Sequence, residues 1–221
     1  MRPRVLKCLR PILVAARRTE QIAREVAGAQ ASLAPLAGLQ HSLREQSKQE
    51  AVHADAFDRA LRVLGEGSHP LPMLKALDEL DACLRSDLES GNLPASMVGL
   101  QYVLEGLGSV ALAPAPGELA EVGDQYVPIR ELVLHQEVAH RRLGEVWIPR
   151  LAERLDDRGR ERLIRAGREY AGLAEAIVNA GLPLLEQLGV DREHYSKASR
   201  AFIESLWRDP LTAPPILEAT P

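Results

Sequence analysis

Hydrophobic residues recur every three to four positions along most of this chain, and no segment alternates with a period of two. Apolar residues at that spacing form one face of an α-helix, whereas a half-buried strand needs strict alternation. Prolines, glycines and polar residues typical of helix ends divide the pattern into segments. We therefore predict helices over residues 11–32, 35–65, 71–90, 92–113, 128–155, 159–188 and 191–207.

Several single residues indicate where these helices begin and end. Pro11 suits a first helical turn, which tolerates a residue without an N–H group. Asn92 and Asp191 are of the residue types that cap helix N-termini. Gly65, followed by a second glycine at position 67, should end the second helix. Pro183 should kink or end the helix that contains it.

Long helices joined by short connections predict an all-α bundle. We expect one helical domain over residues 1–208, with a four-helix core over about 11–155 and additional helices over about 159–207. Residues 209–221 contain four prolines and no apolar period, and are expected to form a flexible tail.

Composition narrows the class of protein. The net charge of −4 argues against a nucleic-acid binder that relies on bulk positive charge, and 46% hydrophobic with 26% charged residues is typical of a globular chain. Two cysteines, Cys8 and Cys83, cannot form a disulfide scaffold or a zinc site of several thiolates. The most apolar stretch, residues 93–114, contains Glu105, which argues against a membrane span. We expect a cytoplasmic protein.

Two nearly identical strings carry candidate chemistry: Gln-Glu-Ala-Val-His at residues 49–53 and Gln-Glu-Val-Ala-His at residues 136–140. Each contains Glu-x-x-His, whose two side chains lie one turn apart on the same face of a helix. Glu50 with His53, and Glu137 with His140, take positions of the apolar stripe of their helices. Each pair could therefore bind one metal ion from inside the bundle.

Two further carboxylates lie on the buried stripes of the other two core helices. Glu105 is the only residue between Leu93 and Ala113 that is charged at neutral pH, and an unpaired buried charge is costly unless it meets a cation. Glu20 lies on the apolar stripe of the first helix, whereas the nearby Glu25 does not. The four core helices thus form two similar hairpins. Each hairpin has one Glu on the apolar stripe of one helix and one Glu-x-x-His on that of the other.

Four carboxylates and two imidazoles at one level of the bundle would balance two divalent cations. Oxygen ligands with two imidazoles suit iron, and manganese is also possible. The cofactor predicted from the sequence is therefore a pair of iron ions, or a manganese–iron pair.

This pattern resembles the ferritin-like di-iron carboxylate proteins, in which two helices give one Glu each and two give Glu-x-x-His. The resemblance covers about residues 11–155. It implies that Glu20 and His53 are terminal ligands of one iron, that Glu105 and His140 are terminal ligands of the other, and that Glu50 and Glu137 bridge them.

Within that superfamily the chain is most similar to the aldehyde-deformylating oxygenases. Phe57 follows the first motif as it does there, and the second motif continues into Leu143-Gly-Glu-Val-Trp147. Many di-iron oxygenases place Asp directly before the second motif. Here Gln136 has that position, and Gln49 precedes the first motif.

Other residues near the motifs have two interpretations each. Tyr102, one α-helical turn before Glu105, is a candidate catalytic phenol or a packed core residue. His135 points away from Glu137 on a helical wheel and is expected at the surface or behind the ligands. Gly99 and Gly144, with the glycines at 106 and 108, could leave room for a substrate or O2.

The resemblance implies an enzyme that uses O2 to oxidise a small or apolar organic substrate. Electrons would come from an external ferredoxin or reductase, and the protein would be a monomer or a homodimer. The alternatives are iron storage or peroxide removal, as in bacterioferritin or rubrerythrin, and a helical bundle that has lost catalysis.

Overall fold

In a computed structural model of the chain, the described residues are 3–65, 72–111, 118–187, 191–209 and 211. Side chains are described for 9–65, 72–108, 133–187, 191–193, 195–209 and 211. All regular structure in these ranges is helical, as predicted. The elements are α1 (Pro3–Leu33), α2 (Ala37–Leu64), α3 (Pro72–Glu89), α4 (Leu93–Met97), a π-helical segment (Val98–Leu104), α5 (Glu105–Ala111), α6 (Glu118–Ala152), α7 (Asp157–Gln187) and α8 (Arg192–Arg208).

The four rods that form the core follow the predicted hairpins. Three residues connect α1 to α2, and these two helices form the most extensive helix pair. α4, the π-helical segment and α5 form one continuous rod, which packs against α6. α2 also contacts α6, and this contact joins the two hairpins.

The remaining helices cover the outside of this core. α3 packs against α1 and α7, while α8 packs against α7 and α5. Ion pairs tie α3 to α1: Arg18 contacts Asp78 at 2.9 Å and Asp81 at 2.8 Å, and Asp81 also contacts Arg85 at 2.9 Å. One side of the core is therefore covered by further helices.

Two helices begin two or more turns before the residue that the sequence predicts. α1 starts at Pro3, so Pro11 lies inside it, and α6 starts at Glu118 rather than near residue 128. The predictions were wrong because a proline suits a first turn but does not require one. A long helix can absorb the one backbone hydrogen bond that a proline removes.

The structure confirms some of the predicted helix caps and helix ends and corrects others. Asp191 caps α8 by accepting a hydrogen bond from the Glu193 N–H at 2.8 Å, and Gly65, with φ of 81°, ends α2 as predicted. Asn92 takes the N-cap position of α4, but its side chain donates to Asp87 instead. α7 continues past Pro183 to Gln187, so the proline does not end it.

Some predictions fall outside the described residues. These are the start of the third predicted helix at residue 71, the helix ends at residues 113 and 188, the second glycine at 67, the tail beyond residue 211 and the side chain of Cys8. None of the helices in the described ranges is long and apolar enough to cross a membrane.

The π-helical segment was not predicted. It runs through seven residues, all of them buried, directly before Glu105. π-Helical turns inside α-helices occur mostly at functional sites. Here the segment lies in the rod that carries Glu105 into the core.

Candidate metal centre

Six side chains from the four core rods meet in the interior of the bundle. Glu20 comes from α1, Glu105 from the first turn of α5, and the two Glu-x-x-His pairs from α2 and α6. None of these side chains is more than 6% exposed. They form two groups whose potential ligand atoms lie within 4.8 Å of one another: Glu20, Glu50, His53 and Glu137 in the first, and Glu50, Glu105 and His140 in the second.

The first group surrounds one nitrogen of His53. Its Nδ1 lies 3.1 Å from Glu50 Oε2, 3.3 Å from Glu20 Oε2 and 4.0 Å from Glu137 Oε1. Three carboxylates therefore converge on a single imidazole nitrogen. This is the donor set that a hard or borderline divalent cation takes.

The second group surrounds Nδ1 of His140, which lies 2.8 Å from Glu50 Oε1 and 3.5 Å from Glu105 Oε2. Although this nitrogen is buried, it makes no hydrogen bond within the described part of the chain. A buried nitrogen that lies close to carboxylates but makes no hydrogen bond is costly. A cation held by these same atoms would satisfy it, so the residues present fit a metal.

The second ring nitrogens are held by a crossed pair of glutamines. His53 Nε2 donates to Gln136 Oε1 at 2.5 Å, and His140 Nε2 donates to Gln49 Oε1 at 2.7 Å. Each imidazole is thus held by the residue that precedes the Glu of the other motif. A hydrogen bond at one ring nitrogen fixes the ring and leaves the other nitrogen free for a metal.

The charges of the cluster lack compensation without cations. Burial raises the pKa of Glu20, Glu105 and Glu137 well above the usual range, and neighbouring carboxylates add to this effect. Burial acts the same way on Glu50, but the imidazoles beside it outweigh burial and lower its pKa.

The excess of carboxylates also changes the pKa of His53, the imidazole of the first group. Burial opposes the charged form of His53, but Glu20 and Glu50 outweigh burial and raise its pKa to about 11. The carboxylates of the cluster therefore favour a positive charge on the imidazole beside them. Two divalent cations would supply the four positive charges that four ionised carboxylates need.

Tyr102 does not share the site face of its rod. Its ring lies against α6 where that helix has Gly144, and a Cβ built on this glycine would be 2.9 Å from the ring. A π-helix holds more residues per turn than an α-helix. The face one turn before Glu105 therefore shifts from Tyr102 to Gln101. Burial raises the pKa of the Tyr102 phenol, with Glu145 as the next cause.

Beside three of the four glycines that were expected to leave room, neighbouring side chains fill the space. A Cβ at Gly99 would be 2.5 Å from the Tyr170 ring, and one at Gly106 would be 2.4 Å from the Phe202 ring. Together with Gly144, these positions permit close helix packing. Gly108 differs, because a Cβ there would meet Glu137 Oε2 at 3.1 Å beside an open space.

That space is an apolar cavity of about 150 Å³, bounded by α1, α2, α3, the π-helical segment, α5, α6, α7 and α8. Three of the site carboxylates line its inner end. The rest of its wall is almost entirely apolar and includes Ala16, Phe57, Leu77, Leu104, Ile177 and Leu185. An apolar molecule can therefore lie directly beside the carboxylates.

A second, more open pocket of about 420 Å³ reaches the centre between α2 and α6. Gln49 and His140 form part of its wall, and Arg142 and Trp147 lie there too. The Arg150 guanidinium lies 5.1 Å from the centre of the Trp147 ring. His135 is exposed, in agreement with one of its two expected positions.

Comparison with known proteins identifies the architecture. The chain is similar to a solved structure described as a protein with aldehyde deformylating oxidase activity from Synechococcus. The TM-score is 0.75 with 20% sequence identity, and the match covers 95% of this chain and 90% of that one. The fold is a ferritin-like helical bundle. No protein-family model and no curated protein matches the sequence.

Proposed function

We propose that this chain is a non-heme di-iron oxidase or oxygenase that acts on an apolar organic substrate. The observation that carries the proposal is the apolar cavity that ends on Glu20, Glu105 and Glu137. Carboxylates that could bind metal, next to a space with an almost entirely apolar wall, suit the oxidation of an apolar molecule. An iron-storage protein has no need for such a cavity.

The six clustered residues are the proposed ligands of the two metal ions. Glu20 and His53 would hold one ion, and Glu105 and His140 the other. Glu50 belongs to both groups of ligand atoms, which suits a bridging role. Glu137 lies in the first group and is the second proposed bridge. A reduced iron pair would supply the activation of O2, with a manganese–iron pair as the alternative.

The protein's own groups orient the ligands and exclude water. Gln136 and Gln49 accept hydrogen bonds from the outer nitrogens of the imidazoles, so Nδ1 of each faces the carboxylates. The apolar wall keeps water from the inner end of the cavity and positions the substrate beside Glu20 and Glu105. Such orientation and exclusion of solvent are what a protein adds to cofactor chemistry.

Electrons would come from an external ferredoxin or reductase. This sequence has only two cysteines, Cys8 and Cys83, so the four thiolates of an ordinary iron–sulfur cluster are not present in it. Under this proposal, the reaction needs O2, the organic substrate and a separate reductant.

The Synechococcus protein is named for activity on aldehydes, so aliphatic aldehydes are the substrates to test first. Purified protein loaded with Fe²⁺ would be given O2, a ferredoxin with its reductase, and aldehydes of increasing length. Gas chromatography would measure aldehyde loss and product formation. The proposal expects turnover that depends on iron, O2 and reductant together. Absence of turnover with every apolar substrate in a metal-loaded sample would contradict it.

A variant of the cavity wall sharpens this experiment. Ala16 lines the cavity, and Ala16→Leu should block it without touching a ligand. We expect kcat/KM to fall about tenfold or more, since pocket methylenes change selectivity by that amount. Metal content should stay unchanged. Ala29→Leu is the matched control, because Ala29 is an exposed residue of the same helix. Equal loss in both variants would argue against the cavity as the substrate site.

Size-exclusion chromatography separates this function from iron storage. A monomer or homodimer is expected for the enzyme, whereas a storage protein assembles into a closed symmetric cage of many subunits. Elution as a cage would favour the alternative.

A further inference from the structure

Three buried glutamines form a hydrogen-bonded chain beside the metal centre. Gln30 of α1, Gln46 of α2 and Gln101 of the π-helical segment are each at most 2% exposed. Ser96, also fully buried, lies at the far end. Burying amide groups costs free energy unless they are hydrogen-bonded. Their presence in the core therefore calls for a physical reason.

The hydrogen bonds that link these glutamines have a fixed donor-to-acceptor direction. Gln101 Nε2 donates to Gln30 Oε1 at 2.9 Å and to Gln46 Oε1 at 3.0 Å, and Gln30 Nε2 donates to Ser96 Oγ at 3.0 Å. Rotating the amide of Gln101 would bring its oxygen against two acceptor oxygens. In the orientation it has, Gln101 Oε1 makes no hydrogen bond within the described residues. One acceptor is thus left unsatisfied while Gln46 is held in place.

Because its oxygen accepts from Gln101, Gln46 presents its N–H groups to the metal centre. Gln46 Nε2 donates to Glu105 Oε1 at 2.7 Å and to Glu50 Oε1 at 3.2 Å. These are the two carboxylates of the second ligand group. The other oxygen of Glu105, Oε2, is the one that lies near His140 Nδ1.

We propose that Gln46 is a positioning residue for the Glu50–Glu105–His140 metal group, held in its donor orientation by Gln101 and Gln30. This inference rests on the proposed metal site. A neutral donor suits the task, because it holds a carboxylate without cancelling the negative charge that attracts the cation. A Lys or Arg at this position would compete with the metal, and an Asp or Glu would add a further buried negative charge.

The test is a titration of metal-free full-length protein with Co²⁺, followed by visible absorption and calorimetry. The wild type should bind two ions. In Gln46→Met, we expect the affinity for one ion to fall about 10- to 100-fold, the usual range when a group that supports a ligand is lost. The ion at Glu20 and His53 should bind as before. A uniform weakening of both ions, or none, would overturn the proposal.

Gln40→Met is the matched control. Gln40 lies on the same helix and its side chain donates to the Ala31 carbonyl at 3.2 Å, with no contact to the six clustered residues among its described hydrogen bonds. This variant should bind both Co²⁺ ions like the wild type. A loss equal to that of Gln46→Met would show that any lost hydrogen bond of α2 weakens the site.

Gln101→Met is the second variant, and it tests whether the hydrogen bond donated by Gln101 holds Gln46 in its orientation. It leaves Gln46 in place but free to rotate, so we expect a smaller loss of affinity for the same ion. In the double variant, the loss should equal that of Gln46→Met alone, because Gln101 acts through Gln46. Additive losses would contradict this.

The outcomes separate this inference from the proposed function. A wild type that binds no Co²⁺ removes the metal site itself and the inference with it. Two bound ions with unchanged affinities in Gln46→Met and Gln101→Met remove only the inference. If Gln46→Met fails to fold, Gln101→Met and the Gln40→Met control still decide it.

Discussion

Glu50 is shared by the two ligand groups, which form the two halves of the candidate metal centre. Its two oxygens face different imidazoles, at 3.1 Å from His53 Nδ1 and 2.8 Å from His140 Nδ1. No other residue belongs to both ligand groups in the described part of the chain. Glu20 and Glu105, the proposed terminal carboxylates, are each associated with one half, so their removal should affect the two ions unequally.

Glu105→Ala tests this inequality. Glu105 belongs only to the group with His140, so its loss should remove one of two bound metal ions and leave the other. Elemental analysis after reconstitution with Fe²⁺ would measure the ratio of metal to chain. Glu161→Ala, at an exposed position of α7, should keep both ions. Unchanged metal content in Glu105→Ala would show that the ligand assignment is wrong.

The sequence was sufficient to single out the six clustered residues, since each is an ionisable residue on an otherwise apolar stripe. The glutamines that support them were harder to find. Gln49 and Gln136 were noticed only as departures from the usual Asp, and their crossed pairing depends on how α2 faces α6. Gln30 and Gln101 gave one weak signal, which is an amide at a helix position where an apolar residue would be expected.

At the scale of elements, the π-helical segment decides which residues of its rod face the centre. It brings Gln101 into contact with the amide of Gln46 and places Tyr102 against Gly144 of α6. Hydrophobic spacing of 3.6 cannot reveal such a segment, because seven consecutive residues are buried whichever helix type they adopt. The starts of α1 and α6 were missed for a different reason, the use of prolines as start signals.

The close packing of α6 on this segment can be tested by Gly144→Ala. The added methyl group would lie 2.9 Å from both Gln101 Cβ and the Tyr102 ring. We expect a loss of about 1–3 kcal/mol in the free energy of unfolding, as for other overpacked cores. Urea denaturation of the metal-free protein would measure it.

Gly172→Ala provides the comparison for this variant. Gly172 lies inside α7, and the nearest side-chain atom to a new Cβ is 3.9 Å away. Replacing a helical glycine by alanine there should stabilise the protein by about 0.5–1 kcal/mol. Equal effects of the two variants would contradict the packing described for Gly144.

At the scale of the whole molecule, the four core rods are held together around a cluster that repels itself without cations. The raised pKa values of Glu20, Glu105 and Glu137 express that repulsion and the cost of burial. Metal binding should therefore stabilise the fold as well as supply chemistry. The helical class and the four-rod core followed from the sequence, but the cavity depends on packing between helices, which periodicity does not determine.

Removal of metal should lower the melting temperature. A cation present at about 100 times its Kd stabilises the folded state by about 2.7 kcal/mol. For a chain of this length that corresponds to roughly 5–10 °C. Calorimetry of protein with Fe²⁺ and after chelation would measure the difference. The same treatment of Glu50→Ala should give a much smaller shift, and an equal shift would place the stabilising ions elsewhere.

The most direct test of the metal centre is anomalous X-ray diffraction from a crystal of the protein loaded with Fe²⁺. Data collected on both sides of the iron absorption edge locate iron without reference to the surrounding chain. The account predicts two iron peaks among Glu20, Glu50, His53, Glu105, Glu137 and His140. Iron peaks elsewhere, or none among these six side chains in a loaded crystal, would contradict it.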